Sequence, residues 1–175
     1  SGYLSTLTFG FWAIVRLVKY LFAPIMAPAI SNAFSVLQPQ GKLTVENQSS
    51  KDVENDLQIG FTVDEMAARV LSMLSGIGLT KDFAPLVYLI AHGSSSANNP
   101  HHGAHDCGAC SGRPGAVNAR VVATMANHAG VREKLKNAGV IIPEQTQFIG
   151  GMHDTAADEI GYYDTEILSP ENAQR

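Results

Sequence analysis

The sequence predicts an α/β fold in which a parallel sheet is flanked by helices. Residues 86–91 form a short, continuous apolar run, as is typical of a strand buried on both faces of a parallel sheet. Two helical stretches follow, at about 117–128 and 131–138, and the apolar segment 147–149 comes after them. A strand, helices and a second strand in this order predict a parallel crossover connection.

A further helix is predicted before the first strand. Thr62 and Glu65 fit a capping box, and apolar residues recur after it at helical spacing on one face. Gly76 and Gly78 are expected to end this helix. After the second crossover helix, Gly139 fits a C-terminal cap, and residues 140–142 are predicted to form a strand-like piece before Pro143.

Composition limits the classes of partner and compartment. The chain has 175 residues, 45% of them hydrophobic, which is enough for one domain with a buried core. Its net charge of -4 gives no basic field to attract a polyanion, so nucleic acid is not an expected partner. Both cysteines lie in the single run 107–110, which points to a reducing compartment rather than a disulfide framework.

Three regions are predicted: an apolar helical segment (1–30), a linker or exposed excursion (31–60) and an α/β half-domain (61–175). The start at Ser1 and Gly2 suggests a piece cut from a longer protein. In the first region, two cations interrupt the apolar run and Pro24 and Pro28 follow it, which disfavours a membrane span. We expect a helix buried against protein, with a packing partner that lies outside this fragment.

The loop after the first strand carries the densest set of metal-binding side chains. His92 ends the strand, and the loop that extends to Gly115 contains Cys107 and Cys110 together with His101, His102 and His105. Thiolate and imidazole are donors that zinc prefers. The three loop histidines are also typical of a solvated loop. A Cys-x-x-Cys pair is compatible with a shared metal, a redox disulfide, or one ligand beside one buried thiol. The redox alternative is disfavoured because such motifs normally follow a strand directly.

Other polar residues have two interpretations each. Arg113 and Arg120 flank a helix start, where they could bind an anion such as bicarbonate or form structural ion pairs. His153 is expected at the same sheet edge as His92, as a neighbour of the metal or hydrogen-bonded to Asp154. Thr155 with Asp158 could cap a helix start.

Several sequence blocks together resemble one known family. The string from His92 to Pro100, the run Asp106-Cys107-Gly108-Ala109-Cys110-Ser111-Gly112 and the segment 118–121 resemble the signature of the DabA family. Residues 148–164, which include Met152-His153-Asp154-Thr155, resemble that family's next block. The resemblance covers about residues 61–164 and extends to the N-terminal helix.

The resemblance implies a zinc-binding subunit with a β-carbonic-anhydrase-like fold that is incomplete in this fragment. It assigns His92 and Cys107 as zinc ligands and leaves Cys110 as a neighbour that is not a ligand. The implied chemistry is hydration of CO2 to bicarbonate by a zinc-activated water. The implied partner is DabB, a membrane subunit related to cation-translocating antiporter-like proteins. The subunit would lie peripherally on the cytoplasmic side of the bacterial inner membrane and support energy-coupled uptake of inorganic carbon.

The family's other zinc-site residues, a Cys followed closely by an Asp, have no counterpart in this sequence. Two donors do not close a tetrahedral site, so the fragment alone is expected to be inactive. Two alternatives remain. The strand ending in His-Gly-Ser also resembles tetrapyrrole metal chelatases, although these lack the cysteine loop. The long loop could instead be a docking module for a membrane partner, organised by zinc but without catalysis.

Overall fold

The computed structural model describes residues 2–22, 43–49, 53–94, 107–111 and 113–175 as a set of helices and two small sheets. Its helices are α1 (Gly2–Phe22), α2 (Val63–Gly76), α3 (Ala116–Asn127), α4 (Ala129–Asn137) and the short α5 (Pro170–Ala173). Its strands are β1 (Val53–Glu54), β2 (Leu57–Gln58), β3 (Leu86–Gly93), β4 (Gln147–Asp154) and β5 (Glu159–Tyr162). The predicted α/β class is confirmed.

The sheet that positions the candidate site has three strands in the order β3-β4-β5. Strands β3 and β4 are parallel, with Leu86 opposite Gln147 and Gly93 opposite Asp154. Strand β5 returns antiparallel to β4, with Gly151 opposite Tyr162. The sheet is therefore mixed. The sequence did not predict β5, because its four residues are all exposed and carry no sustained apolar signal.

Helix α2 begins and ends as its sequence predicts. The backbone N–H of Glu65 donates to Thr62 Oγ1 (3.3 Å), and the backbone N–H of Thr62 donates to Glu65 Oε2 (2.8 Å), which completes the capping box. At the other end Gly78 takes a positive φ of 76°, and Leu79 N–H donates to Leu74 O (2.9 Å). This is a Schellman arrangement, which needs a residue that tolerates the left-handed region.

The core lies between one face of the sheet and helices α2, α3 and α4. Its fully buried members are contributed by all of these elements: Met66, Val70, Leu74, Met125, Leu135 and Phe148. The side chain of Asn127, at the end of α3, accepts from Phe148 N–H (2.9 Å) and donates to Phe148 O (2.7 Å). These two bonds fasten the end of α3 to β4.

Residues 140–142 do not form the predicted strand. Val140 N–H donates instead to Leu135 O (2.9 Å), closing the end of α4, and Gly139 takes a positive φ of 89° as its predicted cap. Val140 and Ile142 are 5% and 8% exposed, so their apolar character serves the core. Helix capping and core packing thus explain a pattern that had indicated a strand.

Residues 155–158 form a turn between β4 and β5 rather than a helix start. Asp154 Oδ1 accepts from the backbone N–H of Ala156 (3.0 Å), and Asp158 takes a positive φ of 54°. The N–H of Thr155 donates to Gly93 O (3.0 Å), which ties this turn to the end of β3. The polar residues that suggested a helix cap therefore stabilise a turn.

The predicted linker takes part in the fold where it is described. Val45 is 6% exposed and belongs to the core, and Glu46 forms a parallel bridge with Phe61. Strands β1 and β2 form a short antiparallel hairpin. Residues 31–42 and 50–52 of this region lie outside the described residues.

Helix α1 displays large apolar side chains where the sequence predicted burial. Phe9, Trp12 and Phe22 are 75%, 67% and 83% exposed. The described residues therefore provide no cover for these side chains. None of the described helices combines the length and apolar character needed to cross a bilayer.

Candidate metal centre

His92 lies next to last in β3, at the carboxyl end of the sheet. It stands in parallel register with His153 of β4, as the crossover pattern predicted. Because side chains alternate along strands and register neighbours share a face, both imidazoles project from the same face of the sheet. His92 is exposed and His153 is 37% exposed in its side chain, so both can be reached by a ligand.

The loop after β3 returns to His92 at Gly115. The backbone N–H of Gly115 donates to His92 O (2.9 Å). A Cβ at residue 115 would lie 2.9 Å from the Ala91 Cβ and 3.2 Å from His92 O, so only glycine fits this approach. The close approach fixes where α3 begins relative to the strand end.

Cys107 is held near this position by a short hairpin. It forms an antiparallel bridge with Arg113, two residues before Gly115, and a 3-10 turn (Gly108–Cys110) lies between them. Ser111 takes a left-handed conformation with φ 57° to complete the reversal. The bridge and the Gly115–His92 hydrogen bond thus link the segment that carries Cys107 to the strand end that carries His92.

Cys110 contacts Cys107 and the first turns of α3. The two thiols are hydrogen-bonded, and the amide of Asn118 donates to Cys110 Sγ (3.4 Å). The hydrogen bond with Cys107 is the main reason that the pKa of Cys110 is raised above its ordinary value.

Arg120 forms an ion pair with Asp164. Its Nε and Nη2 lie 2.9 and 2.7 Å from the two carboxylate oxygens of Asp164, and the residue is 7% exposed. Asp164 raises the pKa of this guanidinium, and the Tyr163 ring lies 5.4 Å from it. The structural interpretation of Arg120 is thus favoured over an anion site. Arg113 lies in the cysteine hairpin, beside Cys107.

His153 pairs with Asp158 rather than with its sequence neighbour Asp154. Its Nε2 lies 3.0 Å from Asp158 Oδ1 across the turn that joins β4 and β5. Asp154 instead accepts backbone N–H groups of that turn. The carboxylate fixes the orientation of an imidazole that lies beside His92 in the sheet.

The donors that the structure describes are suitable for zinc in type but too few for a complete site. Within the described ranges, no group of three or more His, Cys, Asp or Glu side chains is close enough to hold a metal ion. His101, His102 and His105 lie outside those ranges. A tetrahedral zinc site needs three or four protein donors, so these residues do not form one without others.

Sequence reasoning missed two contacts of the predicted residues, that of Asn118 with Cys110 and that of Asp158 with His153. Asn118 lies in the first turn of α3, and its placement opposite the cysteine hairpin follows from the Gly115 contact. The contact of Asp158 depends on β5, which the sequence did not predict. A polar residue in the first turn after a cysteine loop was the available signal for Asn118.

Comparison with known proteins gives one family. A model of the family described as "Probable inorganic carbon transporter subunit DabA" matches residues 1–175. The proteins of that name from Nitrosospira multiformis and Azotobacter vinelandii are 51% and 49% identical to this chain, over 99% and 100% of its length. A relative from Rhodopirellula baltica, described as subunit DabA 2, is 36% identical over 96% of the chain.

The match covers only part of those relatives. The chain spans 19%, 21% and 16% of their respective lengths, or about a fifth. No solved structure matches this chain. The whole-length family match, together with relatives at about half identity, establishes that the chain belongs to the DabA family of probable inorganic carbon transporter subunits.

Proposed function

We propose that this chain is the part of an inorganic carbon uptake subunit that contributes His92 and Cys107 to a zinc site for CO2 hydration. Family membership supports inorganic carbon as the substrate class. The structural support for the two residues is a pair of backbone contacts, the Gly115–His92 hydrogen bond and the Cys107–Arg113 bridge. Together they link the segment that carries Cys107 to the strand end that carries His92.

The chain's own residues have distinct tasks in this proposal. His92 and Cys107 bind the metal, which when bound supplies the Lewis acidity that activates water. Cys110 lies beside Cys107 without binding the metal, and the amide of Asn118 donates to its Sγ from α3. The remaining donors come from outside these residues, so the complete site has a β-carbonic-anhydrase-like arrangement only in the full-length protein. The chain alone is then inactive.

The proposal extends to a partner and a location. A transporter subunit needs a route across the membrane, and within the described residues no helix can form one. DabB, the membrane subunit that the family resemblance implies, would supply this route and the ion gradient. The subunit would then lie at the cytoplasmic side of the inner membrane, as a peripheral protein. The matched family favours inorganic carbon over the tetrapyrrole substrate of a chelatase.

Substitutions in the full-length parent test the ligand assignment. His92→Ala and Cys107→Ala are expected to remove most of the zinc that survives dialysis and to abolish growth at ambient CO2 in a host that depends on this uptake system. Cys110→Ala is the matched control, because it removes a thiol from the same hairpin and is expected to retain zinc. Metal analysis and growth assays give the two measurements.

The possible outcomes separate the competing functions. Normal growth of the His92→Ala variant would show that zinc catalysis is not the role of this residue. Loss of zinc with normal growth would favour the docking module that zinc organises without catalysis. Loss of zinc from Cys110→Ala but not from Cys107→Ala would reverse the assignment of the two cysteines.

A further inference from the structure

The turn that joins Cys107 to Cys110 brings two thiols close to the geometry of a disulfide. Cys110 N–H donates to Cys107 O (3.0 Å), so the two cysteines are the first and last residues of one tight turn. Such a turn places its end Cα atoms within about 7 Å of each other. Disulfides join residues whose Cα atoms lie about 4.4–6.8 Å apart. The two thiols are also hydrogen-bonded, so their sulfur atoms already meet.

Both sulfur atoms belong to residues that a small molecule can reach. Cys107 and Cys110 are free thiols, and each residue is partly exposed. The amide of Asn118 donates to Cys110 Sγ (3.4 Å) from α3, which holds that sulfur on its side of the turn. The two residues between the cysteines, Gly108 and Ala109, are small and place no bulky side chain over the pair. The fold therefore presents two neighbouring thiols at an accessible place.

The second thiol has no task in metal binding under the proposed function, which assigns Cys107 alone as a ligand. In a reducing compartment, a pair of adjacent thiols is typical of transient disulfides that sense redox conditions. The hairpin position still disfavours a thioredoxin-like catalyst, but it allows a disulfide that forms and is reduced again. We propose that Cys107 and Cys110 are a reversible disulfide pair, oxidised by small-molecule disulfides, whose oxidation removes Cys107 from the metal.

The exchange needs one equivalent of the small disulfide and no other reactant. One protein sulfur attacks the small disulfide, which forms a mixed disulfide and releases one small thiol. The other protein sulfur then attacks the mixed disulfide and releases the second small thiol. The two cysteine sulfurs are thus oxidised by two electrons, the small disulfide is reduced, and the two thiol protons end on the released thiols.

The effect on the metal rests on the proposed function, because it requires that Cys107 is a zinc ligand. Zinc binds the thiolate, and a sulfur in a disulfide has lost that charge. Oxidation would therefore leave the site one ligand short and release the zinc. Cys110 would then act as a switch for the site, since it binds no metal but can withdraw the ligand beside it.

Glutathione buffers of increasing oxidised fraction test the proposal on the zinc-loaded full-length protein. No Lys or Arg separates the two cysteines, so one tryptic peptide contains both. After free thiols are alkylated, this peptide is expected to be short of two hydrogen atoms and to carry no alkyl group. A zinc-sensitive dye should detect about one zinc released per oxidised chain. Dithiothreitol with added zinc should restore both the thiols and the metal.

Cys110→Ser is the matched variant, because it keeps a small polar side chain opposite Asn118 and removes only the second sulfur. It should hold zinc in reducing buffer. Its zinc loss should need a ratio of oxidised to reduced glutathione about tenfold higher or more, since Cys107 then forms only the mixed disulfide, which free glutathione reverses. Equal sensitivity of the variant and the unsubstituted protein would overturn the proposal.

The peptide measurement on the unsubstituted protein is decisive by itself. A peptide that stays reduced in every buffer would overturn the proposal, and so would one whose cysteines each bind a separate glutathione. Zinc that stays bound to the disulfide form would overturn the switch and also contradict Cys107 as a ligand. If Cys107→Ala loses zinc while the unsubstituted protein forms no disulfide, the proposed function stands and only the redox pair fails.

Discussion

Among single residues, Arg120 is expected to stabilise the fold through its ion pair with Asp164. Its bidentate pair with Asp164 joins α3 to the segment after β5, with side-chain exposures of 9% and 27%. Arg120→Ala leaves the Asp164 carboxylate without this partner, so we expect the free energy of unfolding to fall by about 2–3 kcal/mol. Arg120→Lys should lose roughly half as much, since an ammonium cannot form the two parallel bonds. Urea denaturation measures both.

Lys134 provides the control for this prediction. Its ion pair with Asp64 is equally short, at 2.7 Å, but the two side chains are 43% and 82% exposed. Lys134→Ala is therefore expected to cost less than about 1 kcal/mol. Equal losses for the two pairs would contradict the role assigned to burial.

The roles of single residues were only partly predictable from the sequence. His92 could be placed at the end of a strand because that strand was predicted from a local apolar run. The sequence left Arg120 undecided between an anion site and an ion pair, because Asp164 is 44 positions away. Pairing over such a distance depends on the register of β5, which local patterns do not contain.

Among the elements, the contact between α3 and β4 depends on Gly150. A Cβ there would lie 2.8 Å from both the N and the Cα of Arg120, so a side chain at residue 150 would force the backbones of α3 and β4 apart. We expect Gly150→Ala to lower the free energy of unfolding by about 1–3 kcal/mol. Gly161→Ala on β5 is the control, since its Cβ would meet nothing within 4 Å. Similar urea midpoints for the two variants would contradict this packing.

The start of α2 gives a pH-dependent prediction. Hydrogen bonds from Thr62 N–H, Gln58 and the Thr62 hydroxyl lower the pKa of Glu65 from its ordinary value of 4.5. A carboxyl with a depressed folded pKa stabilises the fold above 4.5, and this stabilisation is lost as pH falls from 4.5 through the folded-state pKa. Glu65→Gln should therefore lose less stability than the unsubstituted protein on acidification. Urea midpoints of both proteins, measured between about pH 6 and about pH 3, test this prediction. Midpoints that fall equally in the two proteins as pH is lowered would contradict it.

The elements that the sequence predicted correctly are those with long local signals. Helix α2 had a capping box and six apolar residues in register, and β3 had an unbroken apolar run. The signals were misleading at residues 140–142, where apolar side chains serve the core beside a helix cap. They were weak for β1, β2 and β5, which have two to four exposed residues each.

On the scale of the whole molecule, the sequence indicated half a metal site. Within the described residues, His92 lies at the end of β3 and no group of three His, Cys, Asp or Glu side chains could hold a metal ion. Local spacing predicts which residues lie at the carboxyl end of the sheet. Which other donors lie near them depends on the fold of the whole protein.

Zinc content should differ between this chain and its full-length parent. Zinc is bound strongly only when three or four donors are arranged around it, and His92 and Cys107 supply two. After dialysis we expect about one zinc per full-length chain and well under about one for the 175-residue chain. Circular dichroism of the shorter chain shows whether it is folded. Low zinc content in a folded chain can then be attributed to missing ligands. Equal zinc in two folded proteins would mean that residues within this chain, Cys110 or the loop histidines, complete the site. If Cys110 is that ligand, a Cys110→Ala variant of the shorter chain would lose its metal, although the same substitution should leave the parent's zinc intact.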